Sequence, residues 1–374
     1  MKKVTFPHMG TSVGVFSDLI RDLGNEPVIP LRPNKKILDL GVRYAPEFAC
    51  LPFKVLLGSY LEAAERGAEM VVTSGGSGPC RAGLYGEVSQ KILDSIGKEV
   101  EIVVFDSIFR NPFQFIRKLN YINNAKLSYW SIAQLVRFYW RKLQALDKLE
   151  RCSQKVRPRA LNKDLTSKVF KQGIEWIYLT KNLKEVEEAE HQGISALEKI
   201  PQDPDRLIIR IGIVGEIYVL LEPAVNQEIE EILGNLGAEV ARSIYLSGWA
   251  HDNTLGHKKD SLRYAKPYLG TAIGGHAQEG IGHTIVYAQN GFDGVIQLAP
   301  FTCIPEIVVK TILPRITKDF GIPVLTFFLD EQTGKAGIQT RLEAFTDMLK
   351  RKKMQPLKVV EGEKYARVSG NRCR

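Results

Sequence analysis

Apolar residues in this chain keep switching between two spacings. Short runs rich in β-branched and aromatic residues alternate with longer stretches in which apolar positions recur every three to four residues, and a glycine closes most of the longer ones. In the first part this pattern predicts strands over 4–6, 27–31, 69–74 and 101–105. Helices are predicted over 14–23, 54–66 and 86–96, with Gly24, Gly67 and Gly97 as stop signals. Over 112–200 the strand-like runs vanish and helices are predicted at 129–149, 164–180 and 183–200, before Pro201 and Pro204 punctuate a linker. From 205 the alternation returns, with strands at 207–214, 239–244, 294–298 and 323–328 and helices at 226–236, 282–290, 306–320 and 341–351. Strand–helix alternation argues for parallel sheets covered by helices. The chain is therefore read as α/β, with two Rossmann-like (flavodoxin-like) parallel-sheet domains at 1–111 and 205–374 and a basic helical insertion at 112–204. No short-period repeat is evident.

Composition narrows this only a little. The 374 residues suffice for two or three domains, and 44% hydrophobic content is that of ordinary globular protein. No run approaches the roughly 20 apolar residues of a membrane span. The opening Met-Lys-Lys-Val-Thr-Phe-Pro-His is broken by Pro7 too early for a signal peptide, so a cytoplasmic location is expected. The net charge of +9 comes largely from the middle: Arg117, Lys118, Lys126, Arg137, Arg141, Lys142, Lys148, Arg151, Lys155, Arg157 and Arg159, with Lys350 to Lys353 adding a basic patch near the end. Such patches attract polyanions. No nucleic-acid-binding motif accompanies them, so a phosphate-bearing ligand or an acidic protein is the better partner, and a solvated helix face is the plainest explanation of all.

Candidate chemistry starts with cysteine. Of the five, Cys152 sits in a basic helical stretch and Cys373 in the tail, where neither context calls for function. An odd, sparse set is no disulfide framework. The other three keep unusual company: Ala-Cys50-Leu-Pro, Gly-Pro-Cys80-Arg and Phe-Thr-Cys303-Ile-Pro. Each has a proline within two positions, and each is expected where a strand gives way to a helix, whose free N–H groups and dipole favour a thiolate. Three thiolates from three such turns would hold a metal centre with one position open. The opposing reading is three buried, inert cysteines, since free cysteine is among the most buried residue types. In open α/β sheets ligands bind beyond the carboxyl ends of the strands, so all three turns are expected to meet in one crevice between the domains.

Other stretches carry weaker signals. Gly75-Gly-Ser-Gly78 lets backbone approach a ligand but lacks the Walker lysine and the full dinucleotide fingerprint, so any ATP use would fall to a partner. The Gly-rich run 274–283 holds His276, Glu279 and His283, as ligands, proton donors or backbone-bonded histidines. Trp249-Ala-His-Asp-Asn253 places His251 and Asp252 together, as acid and base or as a helix-cap cluster, with the cap the safer expectation. The acidic, glycine-containing stretch from Asp330 to Arg341 is expected as a loop opening a helix at Thr340-Arg341. Glu306 falls in the first turn of its helix, where a carboxylate offsets the dipole.

Several of these stretches are familiar together: Cys50-Leu-Pro-Phe-Lys54, Gly78-Pro-Cys-Arg81 with Gly83 and Tyr85, Gly215-Glu-Ile-Tyr218 with Glu222-Pro223 and Asn226, Gly291-Phe-Asp-Gly294, Pro300-Phe-Thr-Cys-Ile-Pro-Glu306, and Asp330-Glu331 with Thr340-Arg-Leu-Glu-Ala-Phe345. Jointly they resemble the 2-hydroxyacyl-CoA dehydratase/benzoyl-CoA reductase-related superfamily, in its CoA-enzyme-activase-related, dehydratase-like branch, over roughly 1–110 and 205–350. The resemblance implies a [4Fe-4S] cluster held by Cys50, Cys80 and Cys303, and an ATP-hydrolysing activase that injects a low-potential electron. It further implies a place in anaerobic metabolism, a second dehydratase-like subunit and an acyl-CoA or other small-molecule substrate, with the chain acting as a lyase-type dehydratase or a reductase component. No stretch maps onto CoA recognition. Two alternatives stand beside it. One is a non-catalytic electron-transfer or scaffold protein whose fourth ligand is Glu306, His276 or Cys373. The other is a metal-free ligand-binding protein.

Overall fold

The structure is a computed structural model that describes residues 1–75, 79–106, 108, 111–255 and 259–354, excepting the side chains of 252–255, 259 and 260. Four strands, β1 (Lys3–Thr5), β2 (Glu26–Pro27), β3 (Met70–Ser74) and β4 (Glu101–Phe105), form a parallel sheet in the order β2-β1-β3-β4. Helices α1 (Val13–Asp22), α2 (Lys35–Tyr44), α3 (Leu51–Glu65) and α4 (Tyr85–Ser95) connect and cover them. The helical series α5 (Pro112–Ile122), α6 (Tyr129–Val156), α7 (Lys163–Tyr178) and α8 (Leu183–Glu198) follows. A second parallel sheet comprises β5 (Ile209–Gly215), β6 (Ala238–Arg242), β7 (Gly294–Pro300) and β8 (Val324–Leu329), ordered β6-β5-β7-β8. Its helices are α9 (Ile217–Leu221), α10 (Ile229–Asn235), α11 (Leu246–Leu255), α12 (Lys259–Ala265), α13 (Ala277–Gln289), α14 (Ile304–Phe320) and α15 (Lys335–Met354).

Both sheets therefore run second, first, third, fourth, the flavodoxin-like start of a doubly wound fold. The expected two Rossmann-like α/β units are present, and their shared strand order is an internal likeness that hydrophobic spacing alone does not display. The central strands β5 and β7 are buried along nearly their whole length, as strands covered by helices on both faces must be.

Local chemistry sets the helix starts. Asn34, Asn111, Asn162 and Asn182 each accept the backbone N–H three residues on, at 3.0–3.1 Å, and Ser128 does the same for α6. These caps satisfy otherwise orphaned donors, worth about 1 kcal/mol each. The expected strand at 27–31 shrinks to Glu26–Pro27, because Pro27 and Pro30 remove the donors that would extend the ladder. Four short or weakly patterned helices (α2, α5, α9 and α11) and α12 lie outside the expected set.

Helix α2 is the one that matters for the site. Gly41 lies inside the helix and meets Gly58 of α3. A Cβ on Gly41 would stand 1.7 Å from the Lys54 carbonyl oxygen, and one on Gly58 would stand 1.9 Å from that of Ile37. The two glycines let α2 and α3 cross backbone to backbone. Helix α3 is mostly apolar, and nearly every residue from Leu51 to Ala63 is buried, Lys54, Ser59 and Glu62 included. Its Phe53, Leu57, Tyr60 and Leu61 pack with Val71 and Leu93 of the first unit. Leu51 and Val55 join the core of the second sheet, beside Ile211, Ile213, Leu298 and Leu329. One helix thus belongs to two cores, and it starts at Cys50.

Candidate functional site

Cys50, Cys80 and Cys303 are each the residue before a helix, with extended backbone (φ −70°, −69° and −76°). Cys50 opens α3 and Cys303 opens α14, each followed by proline in the first turn. Cys80 opens a short 3-10 helix, Arg81–Leu84, that leads into α4. Cys80 follows β3 and Cys303 follows β7, the third strands of their respective sheets, so they occupy equivalent corners of the two units. Cys50 departs from expectation: it is reached from helix α2 through a turn, not from a strand, because residues 35–44 are helical.

Three loops are stitched together by one guanidinium. Arg81, next to Cys80, donates to the Phe48 carbonyl at 2.8 Å and to the Thr302 carbonyl at 2.6 Å. Phe48 lies two residues before Cys50, and Thr302 lies one before Cys303. Thr302 itself, held at φ +64°, donates its hydroxyl to the Phe48 carbonyl at 3.2 Å. The predicted convergence of the three cysteine turns is therefore realised by direct hydrogen bonds. A fourth loop closes the group. Gly274 (φ +86°) lies against Cys80 so tightly that a Cβ would stand 2.5 Å from the Cys80 nitrogen, and Gly275 abuts Pro305.

The thiols do not behave as helix-start geometry alone suggests. Cys50 and Cys303 are buried. Burial pushes the Cys50 thiol up to about 11, against the lowering effects of its hydrogen bond with the Tyr85 hydroxyl and of Arg81. Burial, then Glu306 and Glu216, push Cys303 further up. Desolvation outweighs the dipole, so both are thiols near neutrality in the metal-free chain. A metal would have to displace those protons as it bound.

Two carboxyls face these sulfurs. Glu306, in the first turn of α14, is buried and accepts from the Gln297 amide at 2.8 Å; burial raises it to about 7. Glu216 accepts from the Val219 nitrogen at 3.0 Å as the cap of α9. It keeps a little solvent contact, yet protein surrounds its carboxyl and burial raises it to about 7 as well. Tyr85 is held strongly protonated by burial and by Cys50. The Tyr218 hydroxyl is buried with no hydrogen-bond partner among the described residues. Sequence reasoning gave Glu216, Tyr85, Tyr218 and Arg81 no role in the site. They stand inside the family-like stretches, but nothing in spacing tells a carboxylate that caps a helix from one that also faces a thiol.

Other expected residues fall elsewhere. His276 precedes α13 and accepts from the Trp249 indole at 2.9 Å, with Glu279 3.9 Å away. His283 lies one helix face along, its ring centroid 6.2 Å from that of Tyr287. His251 sits inside α11 and is no cap; Asp147 of α6 provides one instead, accepting the backbone nitrogen and hydroxyl of Ser247 at 2.9 and 2.5 Å. Helix α15 opens at Lys335, so Thr340 and Arg341 lie within it. The loop before it works through Glu331, which pairs with the buried Lys54 of α3 at 2.9 Å. Cys152 packs into the helical core. Cys373, Gly76 and Gly78 lie outside the described residues.

Three thiols from separate turns, two of them buried, with glycine backbone close at Gly274, are donors of the kind an iron–sulfur group takes. Among the described residues no three His, Cys, Asp or Glu side chains are gathered to hold a single ion. Of the candidates for a fourth ligand, Glu306 is engaged by Gln297 and His276 by Trp249. No protein-family model matches this chain, and no curated protein matches it. No helix among the described residues is long and apolar enough to cross a membrane.

Proposed function

We propose that the chain is the iron–sulfur component of an ATP-driven, activase-dependent reductase or dehydratase system, working in the cytoplasm. The observation that carries this reading is the Arg81 tie, which holds the turns of Cys50, Cys80 and Cys303 at one crevice. Cys50, Cys80 and Cys303 would hold a [4Fe-4S] cluster, which when bound supplies one-electron chemistry and an iron without a protein ligand. The partners would be an activase, a second dehydratase-like subunit and an acyl-CoA or other small substrate.

The chain's own residues have definable tasks in that role. Arg81 fixes the turns and places a positive charge beside thiolates that burial disfavours. Gly274 brings backbone to within contact of Cys80. Glu216 and Glu306, raised to about 7, can hold or release a proton near pH 7 without carrying a full charge into the crevice. Helix α3, shared by both cores, keeps Cys50 in place relative to Cys303 and limits solvent access.

The test is iron and acid-labile sulfide per chain after anaerobic purification, with Cys80→Ser beside the wild type. About four of each per chain, lost in the variant, is the expected result. No iron after reconstitution under reducing conditions would leave the three cysteines as core residues.

A further inference from the structure

A cavity of about 470 Å³ lies away from the cysteines, between α6 of the helical series and the edge strand β6, and is walled further by α11 and α13. That volume is within the range of small-molecule sites. Its charge is unbalanced in a specific way. Arg242 is spent on Glu150 and Glu230, the latter at 3.2 Å. Glu239 is neutralised by Arg159 at 2.7 Å, with Arg210 at 3.8 Å. Glu279, also in the wall, faces His276. Arg151 and Lys155, one helical turn apart on α6, line the cavity with no carboxylate partner among the described residues. This is notable because much of the same basic stretch bonds inward: Arg141 and Lys148 to Glu190, Arg157 to Glu231, and Lys118 and Lys142 to backbone carbonyls. Arg151 is also held over the Tyr245 ring, 4.0 Å from its centroid, so an exposed guanidinium is already positioned. The remaining wall includes Trp249, Tyr287 and Phe292, which offer apolar surface.

We infer that this cavity binds a small organic anion, a phosphate or carboxylate carried on a flat apolar body, with Arg151 and Lys155 holding the oxyanion. The inference does not depend on iron–sulfur chemistry. The cavity is nevertheless linked to the cysteine turns, since Trp249 in its wall donates to His276 and His276 follows the Gly274–Gly275 turn that lies on Cys80 and Pro305.

The probe is phenyl phosphate, titrated into the full chain by calorimetry, with benzoate, inorganic phosphate and benzyl alcohol as comparisons. Saturable one-site binding of phenyl phosphate or benzoate below about 1 mM is expected, and the tighter of the two identifies the head group. Arg151→Gln and Lys155→Gln should each weaken it by about tenfold. Arg137→Gln, an exposed cation earlier on α6 and outside the cavity lining, should leave it unchanged. Because Arg151 and Lys155 are exposed, their replacement should preserve the circular dichroism spectrum. No saturable binding of either anion would overturn the inference. So would equal binding of benzyl alcohol, or equal weakening by Arg137→Gln, which would mark diffuse polyanion attraction.

Discussion

At the scale of single residues, position 274 tests how tightly the cysteine turns are built. Gly274 combines a left-handed φ with a distance of 2.5 Å from its would-be Cβ to the Cys80 nitrogen. Gly274→Ala should cost about 1–3 kcal/mol, from strained backbone and a contact with main chain that cannot swing away. Denaturant unfolding of the metal-free chain reads that cost, and iron content of the reconstituted variant reads the displacement of Cys80. Arg81 makes the complementary case. Arg81→Lys keeps the charge but cannot reach both the Phe48 and Thr302 carbonyls with a planar fork. Iron retention should fall while net charge stays the same; full retention would mean that the tie is dispensable. A third residue gives a pH signature. Burial, then Glu150, raise Asp147 to about 6 from an ordinary 3.8. A folded value above the unfolded one means that the native state holds the proton more tightly. The associated stability is complete below pH 3.8 and is lost as pH climbs through 6, a change on the order of 3 kcal/mol. Glu216 and Glu306 act in the same direction, so the informative quantity is the difference from Asp147→Asn, which should flatten the slope between pH 4 and 6 in chemical denaturation.

At the scale of elements, the join between α3 and the loop before α15 decides how the two units meet at the crevice. Lys54 is buried one turn into α3, and its partner Glu331 keeps about a quarter of its side chain exposed (27%). Glu331→Gln leaves a buried ammonium without its counter-charge. The loss should reach about 2 kcal/mol, below the ~3–5 kcal/mol of a fully buried pair because solvent reaches Glu331. Lys54→Met with Glu331→Gln should recover part of it, and a double-mutant cycle with no coupling would remove the pair from the account. The sequence made most of these elements legible. Strands 101–105 and 69–74 and helices 183–200 and 306–320 show their period over several residues and end on clear stop signals. Helix α2 was not legible, because Gly41 signals a break unless one knows that Gly58 lies across from it. The cysteine turns were legible as helix starts from their prolines, whereas the thiol chemistry was not. Dipole reasoning points to thiolates, and only the three-dimensional burial of Cys50 and Cys303 shows that desolvation prevails. The Arg81 tie was equally hidden, since its acceptors are carbonyl oxygens of residues that sequence distance keeps 33 and 221 positions away.

At the scale of the whole molecule, the repeated strand order invites the view of two independent units, and the packing argues against it. Leu51 and Val55 of α3 are part of the same apolar cluster as Ile211, Ile213 and Leu298. The fully buried Glu222 of the second unit accepts from His8 at 2.6 Å and from the Gly10 nitrogen at 2.9 Å in the first. Arg32 of the first unit reaches across to Glu228 of the second at 2.8 Å, where Lys335 also pairs with it at 3.0 Å. Removing residues 1–204 would therefore expose an apolar patch and strip Glu222 of its His8 and Gly10 donors, leaving it only the Ala224 nitrogen at 3.1 Å, a severe destabilisation. The segment 205–374 expressed alone should bind a hydrophobic dye, lack a cooperative unfolding transition and associate in sedimentation, while the full chain unfolds with both units coupled. A monomeric, cooperatively folded half would show that the sheets are separable and that the crevice forms by docking of finished domains. The coupled outcome would mean that the position of Cys50 relative to Cys303 is set by folding itself, so that the crevice exists before any metal or partner arrives.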